Sequence, residues 1–142
     1  MKKFLSSMLI ILTLVTMIAI PASALDTAEN AEKKISESGE EYFLVQESDP
    51  RMRATGDYCS ASGISSRWID NGNTNLAEGY TNVRNKSGKQ IRHYSNVRWK
   101  GMVMHSESGR VWGEGNVWAS AKVSFYSWSR DWLISRYVYW GS

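Results

Sequence analysis

The chain has 142 residues, 22% of them charged, with 17 Lys and Arg against 14 Asp and Glu and a formal net charge of +3. That length holds one modest domain and excludes a multidomain enzyme. One cysteine excludes an intramolecular disulfide framework and a cysteine-based zinc ribbon, and two histidines leave little material for a histidine-rich metal centre.

Met1 to Ala24 has the pattern of a secretory signal peptide. Lys2 and Lys3 precede an apolar stretch from Phe4 to Ile20, and Pro21-Ala22-Ser23-Ala24 supplies a helix breaker and a small-residue cleavage site, placing the cut after Ala24. The apolar stretch is short for a membrane anchor. No apolar run after Ala24 is long enough to cross a bilayer, so the expected product is secreted, extracellular and without a transmembrane segment.

Leu25 to Arg53 differs in kind. It holds eight acids and four bases, a net charge of −4, with no Trp and one short apolar cluster, Tyr42-Phe43-Leu44-Val45. Such composition predicts disorder or a loose polar helix over Ala28–Ile35, because little apolar surface is there to offset chain entropy. Two readings stand side by side. One is an acidic pro-segment that neutralises the basic remainder until cleaved near Arg51-Met52-Arg53; the other is a solvated leader.

Residues 54–142 carry eleven Lys and Arg against six Asp and Glu, and all seven tryptophans. Val117, Ala119, Ala121, Val123 and Phe125 alternate with Trp118, Ser120, Lys122, Ser124 and Tyr126. Ile134, Arg136, Val138 and Trp140 alternate with Leu133, Ser135, Tyr137 and Tyr139. Period-two alternation marks strands with one packed face and one wetter face. Turn-forming clusters separate them at Asn71-Gly72-Asn73, Asn85-Lys86-Ser87-Gly88, Glu107-Ser108-Gly109 and 127–131. The expected fold is therefore all-β, a small antiparallel β-sandwich or meander over 54–142. An internal repeat, Tyr80-Thr81-Asn82-Val83-Arg84-Asn85-Lys86 against Tyr94-Ser95-Asn96-Val97-Arg98-Trp99-Lys100, predicts a hairpin of 80–85 with 90–99 and Val83 roughly opposite Arg92. Two units fall short of a solenoid.

Catalytic patterns are weak. Cys59, with His93 or His105, lies in Tyr58-Cys59-Ser60-Ala61-Ser62-Gly63, which lacks the following helix that lowers a catalytic thiol's pKa; a partly buried free thiol is the plainer reading. The six acids of this region show no pairing on a strand face of the kind a glycosidase needs. The two histidines have no acid at metal-ligand spacing, and Gly109–Gly115 lacks the helix of a phosphate loop. No enzyme, cofactor or metal is expected.

Binding is better represented. Fourteen aromatics in 54–142 exceed what a small core hides, and they are interleaved with Arg and Lys. Exposed Trp and Tyr stack on sugar rings or settle at membrane interfaces, and Arg engages phosphate. Single-stranded nucleic acid fits the same chemistry but not an exported protein. The repeat concentrates Arg98, Trp99, Lys100, Arg110 and Trp112, the expected ligand-binding residues, with pyrophosphate on the basic groups and sugar on the rings.

Gly63-Ile64-Ser65-Ser66-Arg67-Trp68, Asn85-Lys86-Ser87-Gly88-Lys89-Gln90, Val117-Trp118-Ala119-Ser120-Ala121-Lys122-Val123 and the aromatic C-terminus together resemble the lactococcin 972 family of bacteriocins over most of residues 56–142. Cys59, the acidic segment and the longer 91–116 stretch depart from that family's pattern. The resemblance implies a signal peptide before a small β-sandwich, and a secreted antibacterial protein that binds the cell-wall precursor lipid II and inhibits septum formation in related Gram-positive bacteria. It also implies a separate immunity transporter in the producer, and it supplies no catalytic residues. The rival expectation is a non-toxic module that binds wall glycan or another carbohydrate. A homodimer, including one joined through Cys59 in an oxidising exterior, is compatible with either.

Overall fold

A computed structural model describes residues 31–47, 56–131 and 133–142. The expected signal peptide, the Ala24 cleavage site, the Arg51–Arg53 cleavage region and Trp132 lie outside the described residues. The described strands are β1 (Ala31–Ile35), β2 (Glu41–Gln46), β3 (Tyr58–Ile69), β4 (Thr74–Arg84), β5 (His93–Lys100), β6 (Met104–Glu107), β7 (Val111–Gly113), β8 (Val117–Ser124) and β9 (Ser135–Gly141). Among the described residues a 3₁₀ turn spans Asp70–Gly72 and a short helix, α1, spans Phe125–Arg130.

The strands form two sheets. The larger runs β1-β2-β9-β5-β6, with β7 also on β5; the smaller runs β3-β4-β8. On β5, β7 pairs along 93–95 and β6 along 98–100. The all-β expectation holds, with one refinement: β2 pairs with β9 in parallel, so the larger sheet is mixed.

Alternation determines which face is packed. In β8 Val117, Ala119, Ala121 and Val123 are buried while Trp118, Ser120, Lys122 and Ser124 are exposed. The buried rows of the two sheets meet in one core that includes Ile64, Ala77, Val83, Val97, Trp99, Val123, Val138 and Trp140. Gly79 marks a close approach of the sheets, since a Cβ there would stand 3.0 Å from methyl carbons of both Val97 and Val138. Buried polar groups pair across the gap. Ser95 Oγ hydrogen-bonds Thr81 Oγ1 and donates to the Val117 carbonyl at 2.7 Å, and the His93 ring nitrogens lie 3.0 Å from the carbonyl oxygens of Ile91 and Thr81.

Two expectations need correction. Within the acidic segment, residues 31–35 and 41–46 are not a helix or a loose leader but an antiparallel hairpin completing the larger sheet. The short Tyr42–Val45 cluster suffices because Tyr42 and Leu44 enter the shared core and need no core of their own. The segment's carboxylates anchor it too. Glu40 accepts from the Ser66 backbone N–H and hydroxyl at 3.0 Å and pairs with Arg136 at 2.8 Å. A boundary at residue 54 therefore cuts through the sandwich.

The expected hairpin of 80–85 with 90–99 does not form. The turn itself is present, with Asn85 N–H donating to Lys89 and Gly88 N–H to Asn85, but pairing stops after the single Arg84–Gln90 bridge. β4 and β5 then belong to different sheets. Each repeat unit has a face pairing a hydroxyl with a valine (Thr81, Val83; Ser95, Val97), and stacking the units face to face buries both valines and joins the two hydroxyls.

Candidate functional site

The repeat places its two tyrosines on opposite outer faces. Tyr94, on the larger sheet, is surrounded. Its hydroxyl donates to Glu47 at 2.6 Å, the Arg110 guanidinium lies 4.7 Å above its ring, and Trp112 meets it edge-on at 5.1 Å. Arg98 covers the neighbouring Tyr139 at 4.0 Å and is held by Glu47 at 2.7 Å and Glu107 at 3.0 Å. Arg110 approaches the same Glu47 carboxylate at 3.7 Å.

Protonation equilibria follow this packing. Burial and the hydrogen bond to Glu47 push the Tyr94 phenol up. Burial opposes the charge on Arg98, but Glu47 and Glu107 outweigh it and hold the guanidinium above its ordinary value. The hydrogen bond from Asn96, followed by Arg98, keeps Glu107 below the usual carboxylate range.

These contacts locate the five expected ligand residues. Arg98 and Arg110 share one cluster with Trp112 beside it, but both guanidinium groups are engaged by carboxylates. Trp99 is fully buried, donates its indole N–H to the Ala121 carbonyl at 3.0 Å and packs edge-on against Trp128. It is a core residue and cannot stack on a ligand. Lys100 follows it on the strand and is half-buried. Trp112 remains 39% exposed, with Arg92 at 5.9 Å from its ring centroid.

The smaller sheet presents a different surface. Tyr80 lies over Gly63, where a Cβ would fall 2.7 Å from the ring; glycine is what lets the phenol lie flat on the strand. Trp118 is paired with Tyr80 in register and stands 4.7 Å from it, centroid to centroid, at a 38° tilt. Its indole is 56% exposed. On one side of this platform a groove of 490 Å³ runs to the β1–β2 turn, lined also by Ser36, Glu37, Ser62, Ser65 and Asn116. Beyond Trp118 a second depression of 280 Å³ is lined by Glu78, Ser108 and Ser120. Asn116 is fixed by Asn82, which donates to it at 2.8 Å, and Glu78 by Arg67 at 2.6 Å.

Two aromatic faces flanked by hydroxyl, amide and carboxylate groups suit a pyranose, whose C–H face stacks and whose hydroxyls hydrogen-bond. Among the described residues neither arginine nor lysine lines the larger groove. Sequence reasoning had Trp118 on the wetter side of its strand and Gly63 in a motif. What it lacked was the β4–β8 register that brings Tyr80 beside Trp118.

The residues weighed for catalysis have other partners. Burial pushes the Cys59 thiol up, and it donates to the Ala61 carbonyl. His93 is fully buried, and His105 Nε2 lies 2.9 Å from Asp131. That hydrogen bond, with backbone donors from Met102 and Leu133, keeps the Asp131 carboxyl low. Among the described residues no group of three His, Cys, Asp or Glu is placed to hold a metal, and no helix is long and apolar enough to cross a membrane.

Comparison with family models, with curated proteins and with solved structures finds no match for this chain.

Proposed function

We propose that this protein is a secreted, non-catalytic binder of cell-envelope glycan that acts against related Gram-positive bacteria by occupying a cell-wall precursor such as lipid II. The observation that carries the reading is the Tyr80–Trp118 platform, a half-buried tyrosine beside an exposed tryptophan, next to a 490 Å³ groove with polar side chains on its walls. Sugar stacks on Trp118 and Tyr80, while Asn116, Ser62 and Ser65 meet its hydroxyls. The antibacterial step rests on the resemblance to the lactococcin 972 bacteriocins.

A specific observation favours a second reading, a non-toxic module for wall glycan or polysaccharide. Arg98 and Arg110 are already engaged by Glu47 and Glu107, and among the described residues no cation lines the groove to receive pyrophosphate. Growth inhibition separates the two. Protein spanning 25–142, which retains the β1–β2 hairpin, is applied to growing Gram-positive indicators with and without added lipid II. Inhibition relieved by lipid II and lost in Trp118→Ala supports the first reading. Full growth of every indicator, with folded Trp118-dependent binding to wall glycan, supports the second. A Trp118→Ala variant that inhibits and binds like the parent overturns both.

A further inference from the structure

One end of the sandwich carries more apolar surface than its core requires. There β3, β5 and β8 finish, and α1 closes the gap between the sheets. Trp68 and Trp128 form the plug: they meet edge-on at 6.0 Å, and Trp128 continues to buried Trp99 at 5.2 Å. Outside the plug lies a second layer. Phe125 packs edge-on against Trp68 at 6.0 Å and remains 53% exposed, and its neighbour Tyr126 is 66% exposed. The β5–β6 loop adds Met102 and Val103 and the start of β6 adds Met104, all exposed, and Leu133 is exposed as well.

The two loops are fastened together. The Asp131 carboxylate accepts from the backbone N–H groups of Met102 and Leu133 and from His105, so the 101–103 loop is docked against the end of α1. This fastens the methionine loop to the C-terminal end of α1, the helix whose first turn carries Phe125 and Tyr126. A contiguous exposed patch of large apolar side chains marks an interaction surface in a small protein.

Charge selects the partner. Arg67 and Lys122 flank Leu76 across the smaller sheet just above the patch. Arg130 lies over the Tyr126 ring at 5.1 Å and donates to its hydroxyl at 2.7 Å. Among the described residues Lys122 and Arg130 are in no ion pair, whereas of the carboxylates at this end Asp131 is bound to His105, Glu78 to Arg67 and Glu40 to Arg136, leaving Asp70. An aromatic and aliphatic tip with cations set behind it matches an anionic bilayer surface, where Trp and Tyr occupy the headgroup level and Lys and Arg meet lipid phosphate.

We propose that the Phe125–Tyr126 and Met102–Val103 tip docks the protein on anionic membranes, inserting these side chains to the headgroup boundary. The inference stands apart from the glycan platform, since Trp118 lies on the outer face of the smaller sheet and not in the tip.

The test is co-sedimentation of the 25–142 protein with vesicles of phosphatidylcholine alone or with phosphatidylglycerol added, read alongside tryptophan fluorescence. The parent protein should bind the anionic vesicles with a blue shift, and salt should weaken binding. Phe125→Ser with Tyr126→Ser, and separately Met102→Ser with Val103→Ser, should each reduce binding by about tenfold or more. Having two variants on separate loops guards against a folding defect in either. Trp118→Ala should bind vesicles like the parent even where glycan binding is lost. The proposal is overturned by no binding to anionic vesicles, by equal binding to neutral ones, or by unchanged binding in both tip variants. It is also overturned if the parent instead forms a dimer that the tip variants abolish and shows no vesicle binding, which would assign the tip to a second copy of the chain.

Discussion

Tyr80 and Tyr94 are equivalent residues of one repeat, and the sandwich turns them to opposite outer faces with opposite fates. On the larger sheet Glu47, Arg98 and Arg110 close over Tyr94 and Tyr139, so that both rings are almost wholly buried. On the smaller sheet Tyr80 is half-buried beside Trp118, whose indole stays 56% exposed. The same residue type is structural on one face and available on the other. The difference lies in whether a neighbouring strand supplies a lid; here β2 supplies Glu47, just past its end, to the larger sheet, while the smaller sheet ends at β8.

The comparison can be broken at its strongest point first. Trp99→Ala should destabilise the fold by about 3–5 kcal/mol, as expected for a fully buried indole with a buried hydrogen bond. Chemical denaturation measures this, and a folded variant of parental stability would return Trp99 to the ligand site. Next comes the lid. Glu47→Ala strips a shared carboxylate from Arg98, Arg110 and Tyr94 and should cost about 2 kcal/mol. A loss under about 0.5 kcal/mol would mean that the cluster is an ordinary surface arrangement.

Trp118→Ala should lie at the other extreme. Its stability should stay within about 0.5 kcal/mol of the parent, while glycan binding falls. A large destabilisation would show that the platform is packing in disguise.

The pH dependence sharpens the contrast further. Tyr94 has a raised value in the folded state, so its contribution is complete below the ordinary tyrosine value of about 10 and is lost as pH climbs above that towards the folded value. Tyr94→Phe should flatten the alkaline limb of a stability–pH curve. At the tip the sign reverses. Asp131 is held low, so its contribution is present above the ordinary aspartate value and disappears as pH falls through the folded one. Asp131→Asn should therefore flatten the acid limb, the smallest of these effects.

Much of the fold was legible because strand alternation is a local signal. Val117 to Ser124 shows its packed face in the order of residues, and the turn at Asn85–Gly88 appears where its residue types predict it, whereas in β9 Tyr139, expected on the wetter face, is buried under Arg98. What was not legible depends on contacts distant in sequence. Tyr42 and Leu44 look insufficient alone and become adequate only against β9 and the shared core. The hairpin expected from the repeat failed because local spacing cannot distinguish two units side by side from two units face to face. The candidate site divided in the same way. Arg98 and Arg110 lie in one cluster beside Trp112, but their pairing with Glu47, 51 positions from Arg98, joins two segments that composition had separated. Tyr80 and Trp118 needed the β4–β8 register.

The most direct test of the account is a titration of soluble peptidoglycan fragments against the 25–142 protein, its Trp118→Ala variant and its Trp112→Ala variant, followed by calorimetry. If the open face of the smaller sheet is the ligand face, Trp118→Ala loses about tenfold or more in affinity and Trp112→Ala binds like the parent. The reverse pattern, with Trp112 required and Trp118 dispensable, would contradict it and move the site to the covered face beside Arg98 and Arg110.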